Sequence, residues 1–224
     1  MNIIDTLKLW DSTLFLFING MHAPFFDGIM FAISYKFTWV PLYIAVLYMI
    51  IKHWKRESIW IILALIVCIV IADQVSSGLI KHLVERPRPS HAAHLNGLVH
   101  LVNGYSGGLY GFVSSHAANS FGFALLSSLI FRHKSYTILL FVWAVLTAYS
   151  RIYLGVHYPL DIVGGIMVGI LAALLCFAII KRFRPSLLEI QEKDSISNKP
   201  NTFIPLLILG LSFTGIIIYS IVIL

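Results

Sequence analysis

The feature that most constrains this chain is a series of continuous apolar runs, each close to the roughly 20 residues an α-helix needs to cross a bilayer. They lie at about 36–52, 56–80, 112–131, 135–153, 159–181 and 202–224. Because the runs are continuous and do not alternate, a closed barrel is excluded, and helices that satisfy their own backbone hydrogen bonds remain as the way through lipid. Of the 224 residues, 58% are hydrophobic and 12% charged. That is more apolar surface than one water-soluble core absorbs. The expected fold is all-α, a polytopic membrane helical bundle of about six transmembrane helices that forms a single domain over residues 1–224.

The first 35 residues are apolar but broken by Asp5, Lys8, Asp11, Asn19, His22, Pro24 and Asp27, a pattern that suits an interfacial N-terminal helix. No basic stretch precedes an unbroken apolar core there, so no cleaved signal is expected. The polar segment 182–201 reads as a cytoplasmic linker before the last span. Six spans place both termini on one face, together with segments 81–111 and 151–158. The opposite face then collects 10 of the 16 basic residues. Since cytoplasmic loops carry the Lys/Arg excess, the face with 81–111 is expected to look out of a bacterial inner membrane, toward the periplasm or exterior. The net charge of +6 is spread between apolar runs and forms no basic groove, so nucleic acid is not an expected partner. Cys68 and Cys176 sit inside apolar runs and read as packing residues.

Charges at the end of a span are costly, which makes each a functional candidate. Lys81 ends the second run, with Ser77 and Asp73 on the same helical stripe. Beyond it come Arg86-Pro87 and Arg88-Pro89, where each proline holds the arginine before it in extended geometry. Such an arginine presents a planar fork that matches an oxyanion. Ser114 and Ser115 open the next helix, whose N-terminal amides favour an anion, and His116 in its first turn is placed to donate a proton. Further on, Ser150 and Arg151 close one helix, and His157 stands four residues before Asp161. A carboxylate there can hold the imidazole Nδ1–H and leave Nε2 with a free lone pair, the preparation of a histidine nucleophile.

These segments resemble the three signature motifs of the type 2 phosphatidic acid phosphatase (PAP2) family. K-x6-R-P matches Lys81, Arg88 and Pro89, and its spacing selects Arg88 over Arg86. P-S-G-H is met in part by Val113-Ser114-Ser115-His116, and S-R-x5-H-x3-D is met by Ser150, Arg151, His157 and Asp161. The resemblance implies a membrane lipid phosphatase with His157 as nucleophile, His116 as general acid and base, and Asp161 orienting His157. It also implies that Lys81, Arg88, Ser114, Ser115, Ser150 and Arg151 bind the phosphate, with no metal and no cofactor. Val113 for proline loses rigidity, and Ser115 for glycine adds a side chain beside an amide expected to meet the phosphate.

The expected partners are membrane lipids and a phosphorylated lipid substrate, with no protein partner required. Among the activities of similar proteins, undecaprenyl pyrophosphate dephosphorylation is favoured. Lipid A phosphatase and phosphatidylglycerophosphate phosphatase are alternatives. A non-catalytic phospholipid transporter is the reading of another class. The loop histidines His91, His94 and His100 offer a metal-site alternative with no cysteine or carboxylate near in sequence to complete it.

Overall fold

The structure is a computed structural model that describes residues 2–188 and 200–223. Among these residues there is no strand; the extended pairing is an isolated bridge between Pro87 and Tyr110. The helices are α1 (Ile3–Asn19), α2 (Pro24–Ser34), α3 (Val40–Trp54), α4 (Ser58–Asp73), α5 (Lys81–Val84), α6 (Ser115–Phe131), α7 (Lys134–Tyr153), α8 (Pro159–Phe183) and α9 (Phe203–Ile223). The expected linker 182–201 lies largely outside the described residues.

By length and composition, four helical stretches suit a membrane crossing: Lys36–Val84, Lys134–Tyr153, Pro159–Phe183 and Phe203–Val222. The bent pair α1 and α2, which meet at 117°, brings the number to five if counted as one span. All six expected runs are helical here, and the lower count of stretches has two causes. The runs 36–52 and 56–80 are two arms of the first stretch, which turns back where Lys55 adopts φ 50°. Trp54 at the end of α3 stacks on Phe131, and Trp60 at the start of α4 lies under Arg184. At the other end, Trp39 and Asp73 line one cavity, so α3 and α4 run antiparallel. The run 112–131 is α6, which is 17 residues long and mostly buried. It packs on α4, α7 and α8, so its serines and Asn119 meet protein instead of lipid.

Two glycines let α8 approach this central helix closely. A Cβ on Gly165 would stand 2.3 Å from the Ser114 carbonyl oxygen, and one on Gly169 would stand 2.3 Å from that of Ala118. Small residues four apart are the usual means by which two helices in lipid bring their backbones together. Between α4 and α5, Gln74–Ile80 forms a π-helical segment. Such a segment inserts a wider turn into the helix and often marks a functional site.

The N-terminal pair docks on the bundle. On α1, Leu7, Trp10, Leu14 and Phe17 are exposed while Asp11, Phe15 and Asn19 are buried, an amphipathic division at helical spacing. The Asn19 amide donates to the His100 and Tyr153 carbonyls and accepts from the His100 amide. This ties α1 to the 85–114 loop and to the end of α7. Ser220 on α9 donates to the Phe25 carbonyl, so the described end of α9 lies beside α2.

Candidate active site

The three motif segments converge at one end of the bundle. Glu85, at φ 48°, stops the helix after Lys81, and the chain then runs extended against 109–111. The Arg88 amide donates to the Leu109 carbonyl at 3.0 Å, and the Gly111 amide donates to that of Arg86 at 2.9 Å. A side chain at Gly111 would stand 2.8 Å from Asp161 Oδ2 and 3.3 Å from Arg88 Cγ, so a residue without Cβ lets this segment close over both.

Pro159 begins α8, and Asp161 at its third position accepts the Tyr158 amide at 3.0 Å, half of a capping box. The same Oδ2 lies 3.3 Å from His157 Nδ1. On the other side of the ring, Arg88 Nη1 is 3.2 Å from Nε2 and 3.2 Å from the Val156 carbonyl oxygen. A guanidinium only donates, so Nε2 must accept and Nδ1 must carry the proton toward Asp161. This tautomer leaves the ring's free lone pair on Nε2. His157 is 1% exposed. Burial first, and then the positive charges of Arg88, Arg151 and Lys81, hold its imidazole well below the usual range.

Arg151, also buried, donates to the Ser34 hydroxyl and, at 3.1 Å, to the Tyr105 hydroxyl. Burial alone would raise the Tyr105 phenol, but the charge and hydrogen bond of Arg151 and the charge of Arg88 outweigh it and lower it. A cavity of about 330 Å³ lies here, lined by Ser34, Lys36, Tyr105, His116 and Arg151 among others. Larger depressions exist, such as one of about 770 Å³ between α1 and the start of α8, but they are walled by apolar side chains such as Trp10, Leu14 and Val163.

The other expected site residues are placed as follows. Lys81 Nζ is 3.4 Å from the Ser77 hydroxyl, within electrostatic reach of His157. Ser115 lines a second cavity beside His116. The Ser114 hydroxyl accepts from the Ala117 amide and that of Ser150 donates to the Thr147 carbonyl, so here both serve their helices. The loop histidines do not converge: His100 pairs with Asp27 at 3.0 Å and stacks on His22, while His91 reaches the Gly107 carbonyl.

Sequence reasoning passed over Arg86. Its Nη1 lies 3.1 Å from Asp161 Oδ1 and its Nη2 lies 2.7 Å from Asp11 Oδ2. The guanidinium also stacks 3.9 Å over the Tyr158 ring. Ser34, Lys36 and Tyr105 were passed over as well, because each reaches the site only through tertiary packing.

Residues 59–185 match the PAP2 superfamily. The chain belongs to this family. Over 227 residues it is 38% identical to a lipid A 4'-phosphatase of Bacteroides thetaiotaomicron, covering 98% of this chain and 99% of the relative. A lipid A 4'-phosphatase of Porphyromonas gingivalis is 42% identical over 162 residues, covering 72% of this chain and 69% of the relative. An undecaprenyl-diphosphatase of Sulfolobus acidocaldarius is more distant, at 28% over 70% of this chain and 71% of its own. Among solved structures, Aquifex aeolicus LpxE superposes with a TM-score of 0.60 at 27% identity, covering 75% of this chain and 94% of that one. This PAP2 protein is thus a multi-pass membrane protein and a phosphoric ester hydrolase acting on a lipid phosphate.

Proposed function

We propose that this PAP2 phosphatase removes a phosphate from lipid A, by analogy with the 4' position named for its relatives. The observation that carries this reading is the 38% identity sustained over 98% of the chain. It moves the preferred substrate from undecaprenyl pyrophosphate to lipid A, one of the alternatives raised by the sequence. Short motifs are shared by the whole family and cannot rank headgroups; full-length similarity includes the α1, α2 and loop residues around the cavity.

The proposed reaction has two steps. The Nε2 lone pair of His157 attacks phosphorus in line, the bond from phosphorus to the lipid oxygen breaks, and His116 gives its proton to that oxygen. Asp161 holds the Nδ1–H as the ring gains positive charge. His116 then takes a proton from water, the water oxygen attacks phosphorus, the bond from phosphorus to Nε2 breaks with its electron pair returning to the ring, and inorganic phosphate leaves. Arg88, Arg151 and Lys81 would stabilise the equatorial oxygens, a role that preorganised cations perform without reorganisation. The site is proposed to face the periplasm or exterior, where such a headgroup is presented.

The test is purified protein offered lipid A, undecaprenyl pyrophosphate and phosphatidylglycerophosphate, with free phosphate measured for each. Preferential release from lipid A is expected, and it should persist in EDTA. Preference for either of the other lipids would overturn the substrate assignment, and binding without release from any of them would favour a transporter.

A further inference from the structure

The turn that joins α2 to α3 brings a fourth stretch of chain to the three motif segments. α2 stops at Ser34 because Tyr35 is extended, at φ −79° and ψ 118°, and Lys36–Trp39 then wind a short 3₁₀ turn. An extended residue places the side chains on either side of it on one face, so Ser34 and Lys36 project together. Both line the cavity of about 330 Å³ with Tyr105, His116 and Arg151, and both also line the smaller one, of about 230 Å³, on the Asp73 side of His116.

The turn is fastened from within. Trp39, which is buried, donates from Nε1 to the Ile33 carbonyl at 2.8 Å, and the Thr38 hydroxyl donates to the Ala32 carbonyl at 2.7 Å. These bonds serve carbonyls that the end of α2 leaves open, and the Trp39 ring packs edge-on against Trp143 and Phe213. With the backbone held in this way, only the lysine stem has to be ordered when a ligand binds.

The two side chains differ in what they touch. The Ser34 hydroxyl is buried and accepts from Arg151 Nη1. Lys36 is exposed, with Nζ 5.2 Å over the Phe37 ring, and among the described residues no carboxylate lies within ion-pair distance of it. Asp73, in the wall of the smaller cavity, accepts from the Asn119 amide at 3.4 Å, and no acidic side chain lines the larger one. Lys36 and Arg151 thus border one space with no anionic side chain in its wall, and a phosphate ester supplies the missing negative charge.

We propose that Ser34–Lys36 is a fourth phosphate-binding segment, in which Lys36 contacts the substrate phosphate from the exposed side and Ser34 positions Arg151 against it. The segment precedes residues 59–185, which match the family, so the N-terminal helices contribute to the site directly. The inference rests on hydrolysis of a phosphate ester with Arg151 as a phosphate ligand, and not on which lipid carries the phosphate.

The experiment uses neutral detergent micelles, which remove the bulk anionic lipid that an exposed lysine could otherwise meet. KM and kcat are measured on whichever lipid of the panel above releases phosphate fastest. Inorganic phosphate serves as the competing ligand, its affinity read from inhibition and from the rise in melting temperature it gives over chloride at equal ionic strength. Lys36→Met is expected to raise KM and to weaken phosphate by about tenfold each, the scale of one hydrogen bond to a charged group, with little change in kcat. Lys36→Arg should restore both. A KM and a phosphate affinity left unaltered in Lys36→Met would overturn the proposal and mark Lys36 as a headgroup contact, whichever lipid is turned over. Ser34→Ala should weaken phosphate when Arg151 is present and add nothing in Arg151→Gln. Equal losses in both backgrounds would mark Ser34 as structural and overturn its positioning role. If lipid A resists hydrolysis while another lipid gives this pattern, the segment stands and the lipid A reading falls.

Discussion

Nη1 of Arg88 rests 3.2 Å from Nε2 of His157, so the phosphate-binding candidate occupies the lone pair that is to attack. Without substrate, Arg88 keeps the ring in the reactive tautomer. An arriving phosphate would offer better acceptors and draw the guanidinium off the nitrogen, so binding and exposure of the proposed nucleophile would be one event. Hydrogen bonds to charged groups contribute about 1.5–3 kcal/mol. Arg88→Ala is therefore expected to lower kcat/KM about 10- to 100-fold in a phosphate-release assay. Arg88→Lys keeps the charge without the fork and should fall between.

His157→Ala should abolish phosphate release while the protein still inserts and folds. His116→Ala should lower kcat by about 10²- to 10⁴-fold, the usual contribution of a positioned acid or base. Rapid quenching with radiolabelled substrate should capture phosphorus on His157 in the wild type and none in His157→Ala. Full activity in either variant, or label on another residue, contradicts the roles given.

The state of His157 should show in its pH response. Burial and the charges of Arg88, Arg151 and Lys81 lower its imidazole. The neutral, nucleophilic form therefore persists through pH 6.5, and activity depending on it is lost only as pH falls through the lowered value. The unfolded chain binds a proton at about pH 6.5 and the folded site does not, so over that interval stability also falls as pH falls. Removing a cation, as in Arg88→Gln, should move the imidazole upward. Nitrogen-15 shifts of His157 in detergent micelles would report this directly, and a protonated ring at pH 6.5 in the wild type would refute it.

Arg86 sits between two carboxylates whose side chains are 1% and 0% exposed, Asp11 and Asp161. Removing one member of a buried ion pair costs about 3–5 kcal/mol because the remaining charge is left uncompensated. Arg86→Met should destabilise the protein by that order and lower kcat by letting Asp161 turn from His157. Arg86→Met combined with Asp11→Asn, which removes one orphaned charge, should recover part of the stability. Thermal unfolding in detergent measures both variants.

Gly165→Ala adds a methyl group where the Ser114 carbonyl oxygen would stand 2.3 Å away. The start of α6 must move off α8, and His116 moves with it relative to His157. Loss of activity is expected together with lower thermal stability. Gly215→Ala, on α9, has no atom within 4 Å of the added group and should leave both unchanged.

The sequence by itself determined the chemistry-bearing positions that local spacing encodes. Asp161 caps its helix one turn after His157, and the proline after Arg88 makes that arginine extended; both depend on neighbours a few residues away. The apolar runs likewise dictated helices, because lipid leaves the backbone no other partner. Only the tertiary structure decided that Arg86 pairs with Asp11 across 75 positions, that Ser34 and Tyr105 hold Arg151, and that α6 is a polar central helix sheltered by α4, α7 and α8. The spacing of K-x6-R-P favours Arg88 and says nothing of Arg86, whose partners come from the first and last helices around the site. Hydropathy likewise marked α6 as an apolar run, and it says nothing of which neighbours cover its polar groups. Such contacts depend on how helices cross and how closely their backbones approach, here set by Gly165 and Gly169, and no short-range pattern carries that information.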